Sequence, residues 1–266
     1  DRMDKVRIGI IGVGQIAKQH LKTYSEIADA EVIAACDINS AELERVCEQF
    51  AIPNSCTDIS RMLERDDLDA VDICLHNNLH MPATVAVLES GKHAYCEKPI
   101  AGTYADGKKM LDAAEAAGKK LHIQLSTLYA SETKAAKTLI DAGEIGAPYH
   151  ARSTGFRRRG RPYVDGYGSM TFVQKENSGG GAMFDMGVYH IAQLVYLLNL
   201  PEVERVSGKV YQEIPLDKTR QAESGYNVEE MGVGLVRFKG GLTLDIVESW
   251  AVMLDGFEGS CIIGPT

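Results

Sequence analysis

The sequence is poor in several features, and each shortage excludes a class of protein. Its six cysteines include no C-x-x-C pair. Cys36, Cys74 and Cys96 lie in or beside apolar runs, so they read as small core residues of a reducing, cytoplasmic protein, not as a disulfide framework or a zinc site. No metal is expected. No apolar run is long enough to span a bilayer, and the first residues carry no signal-peptide pattern, so no membrane partner is expected. Basic charge is scarce: 28 Lys and Arg stand against 37 Asp and Glu, for a net charge of −9. That balance argues against general nucleic-acid binding. Internal repeats and low-complexity segments are absent. What remains is ordinary globular composition, 45% hydrophobic and 24% charged over 266 residues. Such a chain can bury a sizeable core, and its length suits two domains.

The most informative stretch is 6–17. Val6, Ile8, Ile10 and Ile11 form a short apolar run, as in a buried parallel strand. The run meets Gly12-Val13-Gly14-Gln15-Ile16-Ala17, which fits G-x-G-x-x-A, and a helix pattern follows through Ile16, Leu21, Tyr24 and Ile27. In a dinucleotide site Gly12 permits the tight turn and Gly14 lets a pyrophosphate approach the backbone. Ala17 lets helix and strand pack closely. Gln15 and Ile16 open the helix, whose N-terminus offers free N–H groups to phosphates. A second apolar run, 32–36, ends in Asp37, 20 residues after Ala17. A carboxylate there can accept hydrogen bonds from adenosine ribose hydroxyls. The alternative for Asp37 is a cap on the next helix.

Further strands are predicted at 70–74, 93–96 and 121–125. They alternate with helices at 40–50, capped by Ser40, and at 104–117, between Thr103 and Gly118. This alternation predicts a parallel sheet with helices on both faces. Ligands of such sheets sit beyond the C-terminal strand ends, here Asp37, His76 to His80, and Glu97-Lys98-Pro99. After about residue 126 the pattern changes. A helix at 132–142 and a strand at 149–156 precede a long polar loop through 177. Ser178-Gly179-Gly180-Gly181 then leads into Ala182 to His190 and an apolar helix over 190–198. A strand candidate covers 203–212. A hairpin is expected about Lys239-Gly240-Gly241, with Leu242, Leu244 and Ile246 on its buried face. The expected domains are 1–125 and 126–266, the second α+β with an antiparallel sheet.

At Glu97-Lys98-Pro99 the chain resembles the Gfo/Idh/MocA oxidoreductases. The likeness also rests on 12–17, on Asn77-Asn78-Leu79-His80, on 91–99 and on Gly179 to His190. It implies a Rossmann domain followed by an α+β domain with an open, mainly antiparallel sheet, which commonly forms the oligomer interface. It further implies NAD or NADP as cofactor and a sugar or cyclitol as substrate, with a homo-oligomer, dimer or tetramer, as the assembly. Asp37 favours NAD, since a carboxylate repels the 2′-phosphate of NADP; Arg45 nearby is a feature that could reverse this. Lys98 is implied to sit at the nicotinamide and to steady charge on the reacting oxygen. Asn77 and His80 match positions on the nicotinamide side, while Glu97 is read as hydrogen-bonding cofactor or backbone. Asp185 matches the family's active-site aspartate.

Many relatives carry histidine four residues after that aspartate. Here Tyr189 takes that place and His190 follows. Tyrosine stands there in some members, which favours Tyr189 as proton acceptor, while its neutral pKa recommends His190. The arginine-rich loop 157–161 is similar to one near the substrate mouth of relatives. Arg157, Arg158 and Tyr163 are its substrate candidates, with Tyr167 and Phe172 as further aromatic faces. Relatives usually continue beyond the point where this chain ends, and it begins without methionine, so it is expected to be part of a longer protein. The expected activity is hydride transfer between a secondary alcohol of a sugar, sugar derivative or cyclitol and nicotinamide. Two alternatives are a glycoside-modifying or sugar–sugar oxidoreductase with tightly held NAD, and a nucleotide-sensing regulator without turnover.

Overall fold

The computed structural model describes residues 5–253 and 259–264. The chain divides into two compact units, Asp1–Gln124 and Leu125–Thr266. The first unit contains β1 (Val6–Ile11), α1 (Gln15–Ser25), β2 (Ala30–Cys36), α2 (Ser40–Phe50) and β3 (Asn54–Cys56). It continues with α3 (Ile59–Leu63), β4 (Ala70–Ile73), α4 (Asn77–Glu89), β5 (His93–Glu97), α5 (Tyr104–Ala117) and β6 (Leu121–Gln124). All six strands pair in parallel in the order β3-β2-β1-β4-β5-β6. This is the doubly wound order, with its switch point between β1 and β4.

Strand periodicity explains both apolar layers. Ile10 joins Ala17, Leu21, Leu43 and Val46 on one face, and Ile11 joins Val71, Ile73, Val87 and Met110 on the other. Each such aliphatic side chain contributes about 1.5–3 kcal/mol on burial. Cys36, Cys74 and Cys96 are buried free thiols within these layers. Helix ends follow local chemistry. Thr103 caps α5 and Gly118 ends it in the left-handed conformation. Ser40 is the first residue of α2 and not its cap; Asn39 is extended and its side chain accepts from the Glu42 N–H, a better fit to the capping geometry.

The second unit contains α6 (Ser131–Asp141), β7 (His150–Phe156), α7 (Lys175–Ser178), α8 (Val188–Leu197) and β8 (Val203–Tyr211). It closes with α9 (Lys218–Ser224), β9 (Met231–Phe238), β10 (Thr243–Ser249) and β11 (Cys261–Ile263). Its sheet runs β11-β7-β10-β9-β8. Neighbours are antiparallel except β7 and β10. The inner face packs Ala151, Val236, Leu244 and Ile246 against Leu194 and Leu198 of the α8 segment. The loop after β7 is less open than its polarity implies. Its Arg161 is 2% exposed and paired with Asp165 at 3.0 Å and Glu230 at 2.9 Å. No helix among the described residues is long and apolar enough to cross a membrane.

Leu244 is fully buried, whereas Val206 on the edge strand β8 is 64% exposed. Leu244→Ala is expected to lower stability by about 2–5 kcal/mol and Val206→Ala by less than about 1 kcal/mol. Urea unfolding followed by circular dichroism reads both; equal losses would contradict the assignment of faces.

Candidate active site

The C-terminal strand ends of the first unit form a cradle. Gly12 has φ +85°, and a Cβ there would run into the Cys74 carbonyl. Only glycine fits without strain. Gly14 flanks α1, with no side-chain cap on the helix and open space where its Cβ would stand. Gln15 and Ile16 are exposed in the first turn. Uncapped N–H groups beside an open surface suit a pyrophosphate. Asp37 closes the turn: Val13 N–H donates to its Oδ2 and Asn39 N–H to its Oδ1, both at 2.8 Å. Asn77 opens α4 and is 9% exposed.

Two sequence candidates prove to be turned inward. His80 is fully buried within α4, its ring between the Pro99 carbonyl at 2.6 Å and the Leu75 carbonyl at 3.0 Å. It holds two loops and presents no surface to a ligand. Glu97 is 6% exposed, with Oε1 at 2.9 Å from His20 Nε2, while Oε2 accepts the Lys98 backbone N–H at 3.0 Å. Its Oε2 thus serves the backbone, one of the two partners expected for it. Lys98 itself is half-buried, one residue beyond β5.

In the second unit the glycines make close approaches possible. A Cβ on Gly181 would overlap the Glu229 carbonyl, and one on Gly180 the Phe184 ring. They lead into a π-helical turn, Met183–Gly187, that carries Asp185. Trp250 Nε1 donates to Asp185 Oδ2 at 2.9 Å, and Arg157 stands 3.5 Å from the same oxygen. Trp250 is 1% exposed, so this carboxylate has a rigid partner. Arg157 also donates to the Tyr167 hydroxyl at 2.8 Å. Arg158 is exposed, and the Tyr163 hydroxyl donates to Glu223 at 2.8 Å. His190 Nδ1 lies 2.9 Å from Oε1 and 3.0 Å from Oε2 of Glu248, a fully buried carboxylate that also accepts from Ser153 Oγ at 2.8 Å. The hydrogen bond to Glu248 raises the His190 pKa above its ordinary value, against the opposing effect of burial. Gly155 makes room for this pair, since a Cβ there would overlap both side chains. Tyr189 is part-buried, and its backbone carbonyl accepts from Thr127 Oγ1 at 3.3 Å.

Two family models match the sequence: the oxidoreductase family with an NAD-binding Rossmann fold over residues 6–125, and the GFO/IDH/MocA C-terminal domain over 133–261. The chain belongs to the Gfo/Idh/MocA oxidoreductase family. It is 30% identical to the D-glucoside 3-dehydrogenase of Escherichia coli K12 over 253 residues, covering 93% of this chain and 71% of that one. The myo-inositol 2-dehydrogenase of Thermotoga maritima is 26% identical over 255 residues, covering 95% and 71%. The WlbA dehydrogenase of Bordetella pertussis, solved with NADH and UDP-GlcNAcA, superposes with a TM-score of 0.86 at 24% identity, over 99% of this chain and 72% of that one. The first unit is the family's NAD-binding Rossmann domain, and the chain is an oxidoreductase of the dehydrogenase type, its relatives being named dehydrogenases and reductases.

Sequence reasoning missed the buried partners of the Gfo/Idh/MocA site residues. Glu248 continues the inward series Leu244, Ile246, Glu248, so an acid on a predicted buried face was its signal. Asp72 stands within the apolar run of β4, a similar signal. Asp72 Oδ2 lies 2.8 Å from His20 Nδ1 and accepts from the Tyr24 hydroxyl at 3.0 Å. His20, Asp72 and Cys74 are the potential metal-ligand group found among the described residues. The 2.8 Å contact is a hydrogen-bond length, shorter than the roughly 3.3 Å between ligands of a tetrahedral zinc. Burial lowers the His20 pKa, but hydrogen bonds and charge from Asp72 and Glu97 outweigh it and raise it from 6.5 to about 9. A raised histidine pKa stabilises the fold fully below about pH 6.5 and loses that effect as pH climbs through about 9. Stability is therefore expected to fall by about 3 kcal/mol between pH 6 and pH 10 from this group. His20→Gln removes that part of the slope in urea titrations; an unchanged slope would show that the ring carries no charge.

Proposed function

We propose that this chain is an NAD-dependent dehydrogenase acting on a secondary alcohol of a sugar, sugar derivative or cyclitol, with His190 as proton acceptor. The observation that carries the assignment is the buried Glu248 at His190 Nδ1. A carboxylate there fixes the ring's orientation, keeps the proton on Nδ1 so that Nε2 accepts, and stabilises the imidazolium that forms. Such a pair on a part-exposed ring suits proton transfer, which weighs against a regulator without turnover. Tyr189 stands next in line, and the π-helical turn explains why spacing could not choose. Its looser winding changes the face on which later residues stand relative to Asp185.

Gly12, Gly14 and the first turn of α1 hold the pyrophosphate, and Asp37 receives the ribose. NAD supplies the hydride acceptor when bound. Lys98 hydrogen-bonds the alcohol oxygen and stabilises the negative charge that develops on it. His190 Nε2 takes the hydroxyl proton. Asp185, held by Trp250, orients the sugar hydroxyls, and Arg157 adds a donor to the same oxygen-rich ligand. The preference for NAD over NADP draws support from the Asp37 carboxylate. It also draws support from Lys18 and Arg45, which both pair with Glu42, at 2.6 Å each. The names of the relatives set the order of substrates to try, D-glucosides first and myo-inositol next.

The sheet face bearing Leu235, Lys209, Arg237 and Asp245 lines an open groove of about 710 Å³. We take this face to join copies of the chain in a homo-oligomer. Light scattering on the eluting protein is expected to give a dimer or tetramer that Leu235→Glu dissociates; a monomeric wild type would refute it.

The activity test is a panel of glucosides, free sugars, cyclitols and sugar acids with NAD and NADP, read by nicotinamide absorbance. His190→Ala and Lys98→Ala are each expected to lower kcat by about 10²–10⁴-fold with cofactor binding retained. The rate of alcohol oxidation rises as His190 loses its proton. Glu248→Gln lowers that pKa and moves the rising limb of the pH profile to lower pH. A limb that stays in place in Glu248→Gln, or turnover surviving in His190→Ala, assigns the proton to Tyr189. Bound NAD that never exchanges during turnover would point to the sugar–sugar or glycoside-modifying chemistry.

A further inference from the structure

We propose that His20 and Glu97 form a latch that positions Lys98. In this reading one hydrogen-bonded network ties helix α1, which its own apolar face seats, to the backbone of the lysine. The inference rests on the role given to Lys98 above, and His20 and Glu97 are positioning residues in it.

The geometry runs from helix to lysine without a break. His20 stands on α1, about one and two-thirds turns beyond Gly14, and its ring reaches Asp72 of β4 and Glu97 of β5. Nδ1 meets Asp72 Oδ2 of β4 at 2.8 Å, and Nε2 meets Glu97 Oε1 of β5 at 2.9 Å. Tyr24, four residues further along α1, donates to the same Asp72 oxygen. The Cys74 thiol donates to Asp72 Oδ1 at 3.5 Å. Glu97 then spends its second oxygen on the backbone N–H of Lys98 at 3.0 Å. That N–H is the first beyond the end of β5, where the strand itself ends. A carboxylate engaged at both oxygens cannot turn without losing a bond, so it fixes the peptide that follows. On the other side of Lys98, the Pro99 carbonyl faces His80 Nδ1 at 2.6 Å. The lysine therefore leaves a backbone pinned on both flanks by buried histidines.

The residue types fit this role. A ring that donates from both nitrogens bridges the two carboxylates, and a doubly protonated histidine does so. Asp72 is fully buried, and His20, Cys74 and Glu97 are each under 9% exposed. Well-packed apolar side chains often replace a buried ionic cluster without loss of stability. A directional network holds orientation as well as volume, and the orientation it holds is that of the Lys98 peptide.

The test uses the full chain with His20→Gln, His20→Ala and Glu97→Gln, and its deciding readout needs no substrate. Amide hydrogen exchange is followed by NMR at Lys98 and, as an internal reference, at Ile10 and Val71 in the sheet core. Lys98 exchange is expected to speed up in each variant by roughly tenfold or more beyond whatever acceleration the reference amides show. Millimolar imidazole added to His20→Ala should slow it again. NADH binding, read by nicotinamide fluorescence, should stay within about threefold of wild type, because buried Ala17 and Leu21 and the Tyr24–Asp72 hydrogen bond still seat α1. With the best sugar of the panel, His20→Gln should lower kcat about tenfold and leave the KM for NAD unchanged. Unchanged exchange at Lys98 would overturn the latch, and so would equal acceleration at all three amides, which marks a general prop. If Lys98→Ala retains full turnover, the catalytic reading of Lys98 fails while the exchange result still decides the latch.

Discussion

Placing charge inside a protein requires that each charged group meet a partner, because an unpaired buried carboxylate loses its hydration and recovers nothing. In the first unit this requirement is met by one ring. Asp72 is fully buried and Glu97 nearly so, and His20 lies between them within hydrogen-bond distance of both. Strands β4 and β5 and the helix after the glycine turn thus meet at one imidazole. Remove it and two carboxylates face each other beneath the strand ends that form the cofactor site.

The second unit repeats the device with a different outcome. Glu248 is also fully buried and also meets a histidine, His190, but this ring is 30% exposed. There the carboxylate engages Nδ1 alone. The same kind of pairing holds His20 at both nitrogens and His190 at Nδ1. Burial decides between the roles: a ring bonded on both sides is structural, and a ring bonded on one side is available for proton transfer. Small residues permit both arrangements. Gly155 leaves room for the His190 and Glu248 pair, as Gly12 leaves room for the Cys74 carbonyl.

Much of the scaffold could be read directly from the residues. Ile10 and Ile11 alternate between two apolar layers, as a buried strand requires. Thr103 and Gly118 bound α5, and the hairpin at Lys239 to Gly241 joins β9 to β10. The strand ends that gather Asp37, Asn77 and Lys98 were legible because parallel sheets carry their ligands there. His80 and Glu97 were harder. Both stand beside cofactor positions in the sequence, yet both side chains turn into the protein. Their direction depends on His20, Leu75 and Pro99, which lie up to 77 residues away.

By itself the sequence determined the class of the protein: local periodicity and the glycine turn specify two domains and a nucleotide cradle, since each depends on neighbours a few residues apart. Only the tertiary structure decided which carboxylate each histidine meets. His20 finds Asp72 and Glu97, and His190 finds Glu248, across separations of 52, 77 and 58 residues. Those pairings set protonation, and a hydrogen bond of about 3 Å is made by packing that no local pattern encodes.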